Sequence, residues 1–277
     1  MSSEAQDVTL DQYIHHHLTY WTVGEGFWAI NVDTLLFSFG LGALFLITFI
    51  LTARRATTGV PGKWQAFVEI VVEKLHDQVK SVFSYDNPMI APMAITIFVW
   101  VWLMNFMDML PVDALPWVAQ HIGAAAGKDP EQVYLKIVPT NDLNLTFGMS
   151  LTIFLMTMYY SVAKGPFRYV KFLFSHPFEA HGWVGRMLVA LPNLLMNIVE
   201  TFAKPLSLSL RLFGNLFAGE ILYVLIAVLP WWINWLPGFG WTVFHLIVIT
   251  VQAFVFMMLS VVYLNMAHQI HDSNSHH

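Results

Sequence analysis

Long apolar runs alternate with short charged segments along this chain. Residues 35–51, LLFSFGLGALFLITFIL, carry no charge and are stopped by Arg54 and Arg55. A hydrocarbon core about 30 Å thick takes about 20 apolar residues in a helix, so this run predicts a first membrane span. Over residues 61–84, Trp64, Phe67, Val71, Leu75, Val79 and Val82 recur at helical spacing, with Lys63, Glu73, Lys74, Asp77 and Lys80 between them. That pattern predicts an amphipathic helix on the membrane surface. Further spans are predicted over 89–110, 143–163 and 241–267. A polar loop to about Asp142 follows the second span, and a basic segment with Lys164, Arg168, Lys171 and Arg186 follows the third. Residues 188–229 stay largely apolar throughout. As one helix they would be about 60 Å long, twice the bilayer core. Such a helix must tilt steeply, kink near Pro205 or fold back. The expected architecture is an all-α polytopic membrane protein, one integral domain over 1–277. It has about five transmembrane helices, a cytoplasmic interfacial helix and a long tilted C-terminal hairpin.

Charge orients this arrangement. Of thirteen Lys and Arg residues, nine (54, 55, 63, 74, 80, 164, 168, 171 and 186) fall on one side. Two (128 and 136) fall on the other, and two (204 and 211) lie within the membrane. The positive-inside rule then puts the amino terminus outside and the carboxyl terminus inside. Tryptophans 21, 28, 117, 231, 232, 235 and 241 sit near the outer boundaries as an aromatic belt would. Composition agrees: 57% of residues are hydrophobic and 11% charged, against roughly 25% charged in soluble domains. A net charge of −5 gives no basic surface for nucleic acid. Without cysteine there is no disulfide, thiol catalysis or cysteine metal site. The first thirty residues carry acids but no Lys or Arg, unlike a signal peptide, so the amino terminus is expected to be retained. His15, His16 and His17 point in different directions on a helix and read as a solvated or interfacial segment.

The candidate chemistry lies in 188–229. Asn193, Asn197, Glu200, Lys204, Ser207, Arg211 and Asn215 follow one another at intervals of three or four and form one stripe on a helix. An Arg at the centre of a span costs roughly 2.5–3.5 kcal/mol on insertion scales, so its presence asks for a reason. The stripe reads as a wet wall climbing to Arg211; the alternative is a polar seam that only holds helices together. Glu220, nine residues on, falls on the opposite face. Gly214 and Ala218 flank the Arg211 face and would admit a close neighbour. On the last span His245, Gln252 and Tyr263 share a stripe. A hairpin closing at 230–240 would let His245 meet Glu220, a plausible proton relay, although a structural histidine fits as well. Asp108, Asp113 and Asp142 could gather protons at the outer mouth or be ordinary loop acids. TTGVPGKW departs from the phosphate-loop pattern, and no HExxH motif occurs.

KPLSLSLRLFGNLFAGE, with FHLIVITVQAFVFMMLSVVYL behind it, NFMDMLPVD at 105–113 and PTNDLNLT at 139–146, resembles the a subunit of the bacterial F-type ATP synthase. The likeness is to the proteobacterial form and covers nearly the whole length. It implies the stator half of a rotary proton channel in the bacterial inner membrane, with no nucleotide site and no cofactor or metal. Its implied partners are a ring of c subunits, a b-subunit peripheral stalk and the remaining synthase subunits. By the same resemblance Arg211 faces the ring as coupling charge and proton barrier. Asn215, Glu220, His245, Gln252 and Asp108 match outer half-channel positions. Ser207 and the stripe below it, Asn193, Asn197, Glu200 and Lys204, fit the inner half-channel. Some relatives carry Glu where this chain has Asn197, while the acid here is Glu200, one turn later. A self-contained secondary transporter is the alternative; such folds often show internal repeats, and none is visible here.

Overall fold

The computed structural model describes residues 22–24, 26, 29–57, 59–83, 85, 87–110, 121, 138–163, 166–175, 177–178 and 183–272. His15, His16, His17, Asp113, Lys128, Lys136 and tryptophans 21, 28 and 117 lie outside them. Among the described residues the elements are a two-residue strand pair, β1 (Thr22–Val23) with β2 (Ile30–Asn31), followed by seven α-helices. These are α1 (Val32–Arg54), α2 (Lys63–Val82), α3 (Ile90–Phe106), α4 (Leu143–Ala163), α5 (Pro166–Ser175), α6 (Trp183–Ala227) and α7 (Trp235–Asp272). Short 3-10 turns at Met107–Met109 and Pro139–Asn141 end α3 and lead into α4. Five of the helices, α1, α3, α4, α6 and α7, are long and apolar enough to cross a membrane.

One element is added to the sequence pattern, and one of its open alternatives is decided. The basic segment after α4 forms a further helix, α5, only ten residues long. Its amphipathic period was hidden by brevity, because ten residues give fewer than three turns. Residues 188–229 neither fold back nor break. α6 is one 45-residue helix that runs through both Pro192 and Pro205.

Burial is the reverse of a soluble domain's. Large apolar side chains such as Leu36, Phe39, Ile47, Leu155, Leu191 and Leu195 are exposed, while Asp33, Asn105, Thr140, Thr146, Asn193 and Ser209 are completely buried. Lipid tails are as apolar as leucine, so these helices gain little by hiding apolar surface. Close packing and interhelical hydrogen bonds hold them instead. α7 is the central post, packed along α3, α4 and α6. One core cluster joins Leu75 and Val79 of α2 to Ala94 of α3 and Met257, Val261 and Leu264 of α7. A second joins Val101 and Met104 of α3 to Ile153 of α4, Leu208, Leu212 and Leu216 of α6, and Ile249 and Phe256 of α7. Polar ties fix the register: Trp100 Nε1 donates to Ser38 O (2.9 Å), and Asn31 Nδ2 to Asp142 Oδ2 (2.6 Å) across 111 residues.

These ties define two ends. The α6–α7 turn, the starts of α1 and α4 and the end of α3 lie together at the turn end. Helices α2 and α5 and the end of α7 lie at the other, where His268 packs against Phe83, Tyr85 and Tyr160. That second end receives most of the chain's Lys and Arg, and is called the basic end below.

Candidate functional site: an exposed arginine between two polar clusters

Arg211 stands on α6 with its side chain exposed, although it is placed well inside a membrane-spanning helix. Ser207, Gly214 and Ala218 are also exposed, and at 100° per residue they lie within about 60° of Arg211 on the helix wheel. Nothing lies within 4 Å of a side chain built on Gly214. The result is a shallow face of small residues around one guanidinium. One flank of the helix is closed: Leu208, Leu212 and Leu216, about 60°, 100° and 140° from Arg211 on the side away from Gly214, are at 0–2% exposure against α3, α4 and α7.

Toward the turn end the polar residues converge. His245 Nε2 lies 2.6 Å from Asp108 Oδ2, with the two side chains 1% and 6% exposed. Asn141 Nδ2 donates to Glu220 Oε2 in a very short contact. Asn215 Nδ2 donates to Gln252 Oε1 at 2.8 Å, and Tyr223 donates to Thr242 Oγ1 at 3.3 Å while its ring meets His245 edge-on. Around these, the Asn105 amide and the Thr140 hydroxyl are fully buried with no protein partner. Buried polar atoms of native proteins are almost always satisfied, and such orphans mark places for water. Glu220, His245, Asp108, Asn215 and Gln252 are therefore brought to one end of the molecule by three elements, α6, α7 and the turn that ends α3.

The pairing differs from the expected one. His245 takes Asp108 as its ring partner, and Glu220 takes Asn141, while the backbone of Gly219 is what lies against the His245 ring. An added Cβ at Gly219 would overlap Cε1 of that ring, so the close approach of α6 and α7 requires glycine there. Asp142 is not a free mouth acid: its Oδ1 accepts the Asn144 N–H at the start of α4, and its Oδ2 the Asn31 amide.

Toward the basic end a cavity of about 320 Å³ opens between α4, α5, α6 and α7. Asn197, Glu200, Thr201, Lys204, Thr157, Ser161, Tyr169 and Tyr263 supply its polar lining. Lys204 Nζ pairs with Glu200 Oε1 at 2.8 Å and stands 5.7 Å above the Tyr263 ring. Burial raises the Tyr169 hydroxyl above its ordinary value of 10, only partly offset by its hydrogen bond with Thr201. It therefore stays protonated and donates toward Met158 Sδ. The stripe read from the sequence divides here. Asn197 borders the cavity, yet its Nδ2 donates to Leu173 O of α5. Asn193 lies outside the cavity lining: its amide donates to Phe174 O and Phe178 O and accepts the Phe178 N–H. Ser207 sits higher, on the open face with Arg211.

Sequence reasoning missed Asn105, Thr140, Asn141 and Gly219. Asn105 had a signal, since it precedes Asp108 by three residues on the same helix face. Gly219 had none, because its role depends on a ring from another helix. Among the described residues no group of three or more His, Cys, Asp or Glu could hold a metal ion.

Comparison with known proteins adds family membership. Residues 35–265 match the family model described as ATP synthase A chain. ATP synthase subunit a 1 of Methylococcus capsulatus is 52% identical over 98% of this chain and 100% of its own length. ATP synthase subunit a of Shewanella frigidimarina is 50% identical over the same shares. The subunit a of Psychrobacter sp. is 45% identical over 96% of this chain and 99% of its own. With both polar clusters and the exposed arginine inside the matched span, the chain belongs to the ATP synthase A chain family, the proton-translocating subunits of that complex's membrane sector.

Proposed function

We propose that the two polar clusters are offset half-channels and that Arg211 is the charge that keeps them apart. The observation that carries this reading is Arg211's open face on α6, eleven residues beyond Glu200 and nine before Glu220. At 1.5 Å per residue these separations are about 16 and 14 Å, so neither cluster reaches the other along the helix. A proton entering at the turn end passes Asp108 and His245, then Glu220, and comes to the Asn215–Gln252 pair beside the open face. It leaves through the cavity at the basic end. Between them it must ride on a carboxylate of a partner, because a guanidinium remains charged at physiological pH and cannot relay it.

The partner that fits the face is a ring of small helices carrying one carboxylate each, the c ring. As a protonated carboxyl comes up beside Arg211, the positive charge favours its ionised form and drives the proton toward the basic-end cavity. The same charge repels a proton that would cross directly. Flux is thereby tied to rotation, with roughly 2.3 kcal/mol available per charge per 100 mV. The excess of Lys and Arg in the segments of the basic end supports a cytoplasmic position for it by the positive-inside rule. The turn end then faces the periplasm, the membrane is the bacterial inner membrane, and the b-subunit stalk completes the stator.

ATP-driven proton pumping in inverted vesicles tests this with Arg211→Ala, assembly of the complex being checked by immunoblot. Pumping is lost in an assembled complex, and passive proton leak rises once the barrier charge is gone. Normal pumping by the assembled variant would return the stripe to a packing seam.

A further inference from the structure

We propose that α5 is a docking face for the anionic lipid leaflet, and that this docking fixes one wall of the basic-end cavity. The inference rests on the reading of that cavity as a half-channel only for its effect on pumping, not for the docking itself. α5 begins at Pro166, three residues after α4 ends at Ala163, so it lies where a spanning helix leaves the bilayer. Its described apolar side chains split into two faces. Phe167, Val170 and Phe174 are 91%, 50% and 42% exposed, at i, i+3 and i+7, and Lys171 is exposed beside them. Tyr169, Phe172 and Leu173 line the cavity on the other face.

The charge pattern selects the occupant. Residues 164–178, KGPFRYVKFLFSHPF, contain three Lys or Arg and no Asp or Glu. By contrast α2, the other surface helix, balances Lys63, Lys74 and Lys80 against Glu69, Glu73 and Asp77. An exposed apolar ridge with positive charge only, at bilayer height, fits an interfacial helix whose aromatic residues enter the acyl boundary while lysine meets phosphate.

The link to the cavity is built from α6. Asn197 binds the Leu173 carbonyl, Asn193 binds those of Phe174 and Phe178, and Thr201 bonds Tyr169. These groups hold the inner face of α5 over Glu200 and Lys204. A tilt of α5 at the lipid surface must therefore move the cavity wall.

The subunit has no cysteine, so Phe167→Cys accepts a single environment-sensitive fluorophore in a complex whose other subunits have had their cysteines replaced. It is reconstituted in vesicles with and without phosphatidylglycerol and with shallow spin-labelled lipid as quencher. Strong quenching is expected in anionic vesicles. In Lys171→Glu, which removes one attraction and adds one repulsion, the docked-to-undocked ratio falls by about fivefold or more. A fluorophore open to water in anionic vesicles, or shielded from both water and lipid by another protein, would overturn the docking. ATP-driven pumping of the unlabelled complex should rise with phosphatidylglycerol content and lose that rise in Lys171→Glu. Quenching without lipid-dependent pumping would overturn the control of the cavity wall. Arg211→Ala, read separately for passive leak, reports whether the half-channel reading itself stands.

Discussion

A single methyl group added at Gly219 would overlap Cε1 of His245 and stand 3.0 and 3.2 Å from the two ring nitrogens. The ring has little room to retreat, because it is 1% exposed and flanked by the Tyr223 and Trp241 rings at 5.7 and 5.8 Å. Overpacking of this kind typically costs about 1–3 kcal/mol. If the ring instead yields, the 2.6 Å contact with Asp108 is broken, and a buried hydrogen-bonding group left unpaired costs about 1–3 kcal/mol. Alanine gains about 1 kcal/mol over glycine in a helix interior, which leaves a net cost of up to about 2 kcal/mol. Taking about 1.4 kcal/mol, within that range, as the net shift, His245 leaves its working position by about tenfold. The assay is ATP-driven proton pumping in inverted vesicles at matched levels of assembled complex. Gly219→Ala should pump about tenfold slower, and Gly148→Ala, with nothing within 4 Å of the new methyl, should be close to unchanged. Adding Gly219→Ala to His245→Ala should cost almost nothing further, since the two share one contact. Full pumping by assembled Gly219→Ala would refute the reasoning, as would equal and additive losses in the double variant.

Two further outcomes separate holding from conducting. Asn193→Ala removes three backbone hydrogen bonds and should destabilise the α5–α6 junction by about 1–3 kcal/mol, seen as faster amide exchange at Phe178, whose N–H it accepts. Unchanged exchange there would argue against the clamp. Glu200→Gln breaks a pair whose side chains are 58% and 30% exposed for Glu200 and Lys204. Such pairs are worth at most about 1 kcal/mol, so assembly should be unaffected while pumping falls. Loss of assembly in step with pumping would make the pair structural.

The spans were legible because membrane crossing leaves a plain record: about 20 apolar residues in a row, bounded by charge. The stripe on α6 was legible because i, i+4 spacing survives over a helix of 45 residues. What could not be read was the partnership of side chains from different helices. Nothing in the chain says that His245 meets Asp108, 137 residues away, or that Asn141 rather than His245 takes Glu220. Nor does spacing tell a conducting asparagine from a clamping one. Asn193 and Asn197 share the stripe with Arg211, and the backbone they bind belongs to α5, a helix too short to declare itself in the pattern, and to Phe178 just beyond it.

Pro205 lies within α6 one and a half turns before Arg211 and has no N–H to donate. The carbonyl four residues earlier, that of Thr201, is therefore left without its helical donor, and Thr201 is a wall residue of the basic-end cavity. The helix that carries Arg211 thus surrenders one internal bond at the level of that cavity. If the cavity is the half-channel proposed above, the freed carbonyl is an acceptor at its wall that carries no charge of its own and does not change with pH.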